Sequence, residues 1–250
     1  MTAGTSIPQA AMVLAAGLGK RMRPITDTIP KPLIPVAGKP LIDWGLDALT
    51  AAGVRKAVVN VHYLADQMEA HLKNRSQPQI VISDERGQLL DSAGGIVRAL
   101  PHLGSEPFLI INADTFWIDG ATSNLRRLAA RWDESRMDIL LMVAALFQVS
   151  GYGGHGDFVM VQDGRLMRLS DIAGFDLSDA ASLPFIYAGA AIVHPRIFAN
   201  ATGGPESLNR YFDRAIAENR LHGMQMDGLW LTVGTPDAIR EAEAVLAAKV

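Results

Sequence analysis

Residues 12–40 read MVLAAGLGKRMRPITDTIPKPLIPVAGKP. The run Met12-Val13-Leu14-Ala15-Ala16 is apolar throughout, the pattern of a short strand buried on both faces. It breaks at Gly17 and Gly19 and turns basic, with Lys20, Arg21 and Arg23, then Lys31 and Lys39. Glycines let a backbone approach a ligand closely, and successive N–H groups in such a loop can form an anion-binding hollow. Pro24, Pro30, Pro32 and Pro35 restrict how far the cation-bearing segment can wander. The stretch is expected to be a rigid, positively charged bed for phosphates at the end of a strand. It is neither G-x-x-x-x-G-K-[ST] nor G-x-G-x-x-G, so the residues alone leave the class of phosphate loop open.

The rest of the composition narrows the possibilities. With 250 residues, 49% of them apolar, the chain can bury a sizeable core and is not expected to be disordered. A net charge of −3 argues against a general nucleic-acid binder, which would need a basic face over much of its surface. The absence of cysteine excludes disulfides, thiolate catalysis and thiolate metal sites. Residues 1–11, MTAGTSIPQAA, lack a positive n-region and a long apolar h-region, and no segment has the length of a membrane span. The expectation is a soluble cytoplasmic protein with no membrane partner.

Outward from the basic loop, the spacing of Leu41, Trp44, Leu46 and Leu49 predicts a helix over 40–52, stopped at Gly53. A strand follows over 54–63, an amphipathic helix over 64–74 and a strand over 79–83. Residues 84–95, DERGQLLDSAGG, read as a polar loop before a short helix over 96–100. The apolar PFLII of 107–111 is a strand, and Asp114 lies just beyond its carboxyl end, where open α/β sheets bind ligands. A helix over 123–134 and a buried strand over 137–146 come next. The glycine-rich 150–157 then leads to a hairpin over 157–170 turning at Asp163-Gly164, a strand over 184–193, a helix over 207–219 and a strand over 229–233. Thr235, Pro236 and Asp237 open a terminal helix as N-cap, N1 proline and first-turn carboxylate. Strands and helices alternating at these intervals predict one α/β domain with a parallel sheet. Residues 8–150 would form its first part and residues 151–230 a second part with the inserted hairpin.

Taken together, LAAGLGKRM, PKPLIPVAGKPLI, NADTFW, FIYAGAAIVHP and DGLWLTVGTPDAI resemble, in this order, the motifs of the sugar-1-phosphate nucleotidylyltransferases. VNVHYLADQ and LLDSAGGI are most similar to the branch that uridylylates N-acetylmuramate 1-phosphate in cell-wall recycling. The resemblance covers nearly the whole chain. It implies a single Rossmann-like three-layer sandwich of the nucleotide-diphospho-sugar transferase type, with a mostly parallel mixed sheet. The implied substrates are UTP and a sugar 1-phosphate, acted on by a monomer or small homo-oligomer. Mannose 1-phosphate with GTP and phosphocholine with CTP are the rival specificities within the family.

The implied reaction is attack of the sugar phosphate on the α-phosphorus of the nucleotide, with pyrophosphate leaving. The nucleophile is already anionic, so the task is to bring two polyanions together and stabilise an in-line transition state. By resemblance, Leu14, Ala15, Ala16, Gly17, Gly19 and Lys20 would cradle the nucleotide, Arg21 would face the leaving pyrophosphate, and Lys31 would bridge the two phosphates. Asp114 would hold Mg²⁺. The family's second metal aspartate is replaced by Thr232, the second candidate at the metal, as a ligand through its neutral hydroxyl or through a bond to a coordinated water; Asp227 or Asp237 is an alternative helper, and a non-catalytic nucleotide binder is the reading of a different class that this departure raises. The base is expected against 84–95, read by free N–H groups of Ala93 and Gly94 with help from Glu85. Asn60, His62, Tyr63, Asn112, Gly156, Asp157, Tyr187 and Gly189 are the expected sugar contacts.

Overall fold

The computed structural model describes residues 6–172 and 183–248. Its first strand, β1 (Ala10–Leu14), is buried along almost its whole length, and alternate side chains point to opposite faces. Val13 belongs to the apolar cluster on one face of the sheet and Met12 to the cluster on the other. Helix α1 (Leu41–Ala52) places Ile42, Leu46 and Leu49 on the first face. It stops at Gly53, whose φ of 98° is open to glycine at little cost. Strand β2 (Lys56–Val61), helix α2 (Ala65–Leu72) and strand β3 (Gln79–Asp84) follow.

Helix α3 (Asp91–Leu103) lies on the opposite face, with Ile96, Ala99 and Leu103 against Met12. It begins well before the helix expected over 96–100, so half of the supposed polar loop is helical. The two glycines that suggested a loop are there for space. A Cβ on Gly94 would lie 2.4 Å from the Gly204 carbonyl oxygen, and one on Gly95 would lie 2.6 Å from Glu85 Oε1.

Strand β4 (Phe108–Asn112) is followed by β5 (Thr115–Asp119), α4 (Asn124–Arg131) and β6 (Ile139–Ala145). The hairpin β7 (Phe158–Met160) and β8 (Leu166–Arg168) leads on to β9 (Pro184–Val193), α5 (Asn209–Ala217), β10 (Leu221–Gln225), β11 (Gly228–Thr232) and α6 (Pro236–Ala247). In the main sheet the order is β3-β2-β1-β4-β9, with β1 to β4 parallel and β9 antiparallel to β4. One edge of β9 pairs with β4 and β7, the other with β6, and β10 runs parallel to β6. A second small sheet joins β5, β11 and Val149–Ser150. The chain is one α/β domain with a mostly parallel mixed sheet between two helical layers, as expected.

The order reverses between β1 and β4: the chain passes from β1 to β2 on one side, and later to β4 on the other. Leu14 and Asn112 are paired at their carboxyl ends, and the crevice beyond such a reversal is where open α/β sheets take ligands. A third apolar cluster floors the approach. Met22 and Ile34 of the basic loop pack there with Leu41, Phe116, Leu231 and Val233. Burying each side chain of this size is worth about 1.5–3 kcal/mol, so the loop is anchored by its apolar residues while Lys20, Arg21 and Arg23 stay at the surface. The Trp44 and Phe116 rings stack in the same cluster, centroids 4.6 Å apart.

Candidate active site

The phosphate loop leaves β1 through Ala15, whose N–H donates to Asn60 Oδ1 at 2.7 Å. Gly17 has open space where a side chain would begin, whereas Gly19 is tightly enclosed. Its φ is 61°, and an added Cβ would lie 2.9 Å from Thr26 and 3.1 Å from Lys31. The Thr26 hydroxyl donates to the Gly19 carbonyl, and Tyr63 Oη donates to the Thr26 carbonyl, tying the loop to the end of β2. Gly17 therefore offers approach to a ligand, and Gly19 makes the turn that keeps the cations in place.

Lys31 opens a short 3₁₀ turn between Pro30 and Pro32 and is only 8% exposed. Its Nζ lies 2.7 Å from Asp114 Oδ2. Asp114 itself is fixed by the strand pairing beside it, its carbonyl accepting from the Val233 N–H. Arg21 comes from the other end of the loop; a Cβ on Gly234 would sit 3.5 Å from its Nη1.

Two cavities meet at this point. The first, about 540 Å³, is lined by Leu14, Ala15, Ala16, Gly17, Lys31 and Asn60, with Leu89, Asp91, Ser92 and Pro205 opposite. The second, about 610 Å³, is lined by Arg21, Asp157, Tyr187 and Thr232 among the expected residues, and by Thr115, Tyr152, Phe158, Arg168, Phe212 and Trp230. Asn112 and Asp114 line both. Either volume suits a small organic ligand.

Several expected contacts have other work. Glu85 is buried, accepting from Asn60 Nδ2 at 2.7 Å and from the Leu90 N–H at 3.1 Å, so it is a brace rather than a free acceptor for a base. The N–H groups of Ala93 and Gly94 both donate to the Glu206 carbonyl, so neither is the exposed donor anticipated. His62 Nδ1 bonds the Glu85 carbonyl, and Lys20 is exposed beside the turn. Gly156 and Gly189 have φ of 105° and 77°. They act by being small: a Cβ on Gly189 would lie 2.4 Å from Thr115 Oγ1 and one on Gly156 2.8 Å from Pro184.

Neither substitute carboxylate lines either cavity. Asp227 caps the far end of β11, accepting from the Ala121 N–H, and five residues of strand separate it from Thr232, roughly 16 Å. Asp237 is exposed and paired with Arg240 in the first turn of α6. Among the described residues no three His, Asp or Glu side chains gather as a metal-binding group.

Beside the expected Tyr187, the second cavity holds a polar group that sequence patterning passed over, Thr115. Thr115 Oγ1 and Tyr187 Oη are buried without a hydrogen-bond partner among the described residues. Leaving such a hydroxyl unpaired costs about 1–3 kcal/mol, and a ligand hydroxyl would offset that. Burial, with the nearby charge of Asp114, pushes the Tyr187 phenol well above its ordinary value. It is thus a neutral donor at any physiological pH.

The family follows from this architecture and from comparison with known proteins. The chain belongs to the nucleotidyl transferase family, whose model matches residues 10–168. Over 244 residues it is 46% identical to the N-acetylmuramate alpha-1-phosphate uridylyltransferase of Caulobacter vibrioides, a match covering 96% of this chain and 98% of the relative. The enzyme of the same name from Neisseria meningitidis is 34% identical over 241 residues, covering 95% and 98%. Among solved structures, the inositol-1-phosphate CTP transferase from T. maritima superposes with a TM-score of 0.73 at 18% identity, covering 95% of this chain and 97% of that one. That last likeness concerns the fold alone. The chain is a nucleotidyltransferase enzyme, and among its described residues no helix is long and apolar enough to cross a membrane.

Proposed function

We propose that this enzyme transfers a uridylyl group from UTP to N-acetylmuramate 1-phosphate, releasing pyrophosphate and UDP-N-acetylmuramate. The observation that carries the reading is the Lys31–Asp114 pair where two ligand-sized cavities meet, with Arg21 lining the second, in a chain 46% identical over nearly its full length to a uridylyltransferase of that specificity.

In this reading the first cavity takes the nucleotide and the second the sugar. Gly17 and its neighbours admit the triphosphate to the backbone. Arg21 bears on the departing pyrophosphate. Lys31, at the boundary, contacts the α-phosphate and the attacking phosphate together, holding them in line and offsetting the charge that builds between them. Thr115, Tyr187, Asn112 and Asp157 orient the sugar. No general base is required, since the attacking oxygen carries its own charge.

Mg²⁺ fits the donor set. It takes one or two carboxylates together with phosphate oxygens and water, and Asp114 supplies one carboxylate facing the cationic loop. When bound, the metal neutralises phosphate charge. Thr232 pairs directly with Thr115, the residue after Asp114, and its hydroxyl would hold a coordinated water there.

The test is pyrophosphate release from each of four nucleoside triphosphates against a panel containing N-acetylmuramate 1-phosphate, N-acetylglucosamine 1-phosphate, mannose 1-phosphate and phosphocholine. UTP with N-acetylmuramate 1-phosphate should exceed every other pairing in kcat/KM. Equal or better use of another pair removes the assignment.

A further inference from the structure

Resting on that activity, we propose that Arg168 recognises the carboxylate on the acidic side arm of the sugar, and so separates N-acetylmuramate 1-phosphate from sugar phosphates without one. The lactyl ether of N-acetylmuramate carries a carboxylate that is ionised at neutral pH, since carboxyl groups titrate near pH 4. The substrate is therefore anionic at two separated places, its phosphate and its side arm.

Among the described residues, the charged ones lining the second cavity are Arg21, Asp114, Asp157 and Arg168. Arg21 stands at the phosphate end beside Gly234. Asp114 and Asp157 repel a carboxylate, and Asp157 already accepts the Tyr187 N–H at 3.0 Å. Arg168 is the cation that remains. It stands beyond the aromatic wall formed by Tyr187 and Phe212, whose ring centroids are 5.6 Å apart.

Its geometry is that of a prepared binding group. Arg168 ends β8 directly across from Phe158, and its guanidinium carbon lies 4.8 Å from the Phe158 ring centre and 5.9 Å from that of Phe212. Nε donates to Asp213 Oδ1 at 2.7 Å, and Nη2 donates to Asn209 Oδ1 at 3.0 Å. Nη1 has no hydrogen-bond partner among the described residues. Asp213 is mostly in water, which weakens its hold on the arginine's charge. The planar fork is thus stacked and held, with donors left for a carboxylate.

A purely structural role, tying the hairpin to α5, is the competing explanation, and selectivity separates the two. Using the full chain with Mg²⁺, kcat/KM is measured for N-acetylmuramate 1-phosphate and for N-acetylglucosamine 1-phosphate, and UDP-N-acetylmuramate and UDP-N-acetylglucosamine are titrated at equilibrium. Arg168→Met, which keeps an apolar stem on the rings, should lower the muramate-to-glucosamine ratio about 100-fold in both measurements. Arg168→Lys, which keeps the charge but not the fork, should lower it about tenfold and carries the test if the methionine variant does not fold. An unchanged ratio, with both sugars losing equally or neither losing, overturns the proposal. So does a wild-type enzyme indifferent to the side arm, which would also remove the N-acetylmuramate assignment while leaving uridylyl transfer to a sugar 1-phosphate standing. Failure to use N-acetylmuramate 1-phosphate at all would instead remove the activity itself.

Discussion

Lys31 Nζ and Asp114 Oδ2 are 2.7 Å apart across 83 residues of sequence. The contact joins the cationic loop to the carboxyl end of β4 and satisfies both charges in the free protein. In the proposed reaction an incoming phosphate would compete for the ammonium and leave the carboxylate to a metal. The pair would then be the resting state of two groups that act on different partners. Asp114 is two-fifths exposed, so the pair adds little to stability.

Replacing Lys31 with alanine should therefore separate catalysis from folding. Turnover should fall by about 10²–10³-fold, the scale of losing a preorganised charge at a developing anion. The unfolding midpoint should move little. Pyrophosphate release with and without saturating substrates measures the first, thermal unfolding the second; a loss below about tenfold would contradict the phosphate-bridging role.

Thr232→Asp tests the metal arrangement. It restores a carboxylate on the strand beside Asp114, so half-saturation should come at lower Mg²⁺, or the maximal rate should rise. A Mg²⁺ titration of activity is the measurement. Loss of both rate and affinity would mean that this chain coordinates its metal by another scheme.

Gly95 is packed against the brace behind the nucleotide cavity. A methyl group there would lie 2.6 Å from Glu85 Oε1 and 2.7 Å from Asn60 Nδ2. Gly95→Ala should push Asn60 from Ala15, destabilise the fold by about 1–3 kcal/mol and raise the KM for UTP more than that for the sugar. Equal stability and equal KM would show that the brace has slack.

A prediction remote from the site concerns Asp138. It is buried, accepting from Arg196 Nε at 2.6 Å, with Arg220 Nε 2.9 Å away. Burial alone would raise its pKa, but the two guanidiniums outweigh it and hold the carboxyl below its ordinary value of 3.8. A depressed pKa contributes stability that is present above the unfolded value and disappears as pH falls through the folded one. Asp138→Asn should cost about 2–3 kcal/mol at pH 7. The gap to wild type should start to close near pH 4 and vanish only below the native pKa. Denaturant unfolding at pH 7, 5 and 3 checks this; a gap that did not narrow under acid conditions would exclude the charge as its source.

The sequence made the central strands legible because their apolar runs have no other use: β1, β4 and β9 fall close to their expected places. Helix α3 was legible only in part, since its glycines resemble a loop unless Gly204 and Glu85 are known to press on them. Strand β10, LHGMQ, carries His222, Gly223 and Gln225 and has no strand-like pattern; its place is set by pairing along β6. In the site, Arg21, Lys31 and Asp114 stand out as charges in glycine, proline and strand-end settings. Thr115 and Arg168 do not, because a threonine after an aspartate and an arginine closing a hairpin gain meaning only when the fold sets them on one wall. The Ala93 and Gly94 N–H groups erred the other way: small residues predicted access, and the chain itself took the donors through Glu206.

The wall common to the two cavities, Asn112 and Asp114, has a thermodynamic consequence. A charge that settles on one side of so thin a partition alters the free energy of a charge arriving on the other. Under the proposed assignment, nucleotide and sugar phosphate would then influence one another's affinity, and linkage requires the factor to be the same in both directions. A metal that cancels phosphate charge at Asp114 would turn mutual repulsion into mutual assistance, and the order in which substrates load would follow from electrostatics at that partition without any moving lid.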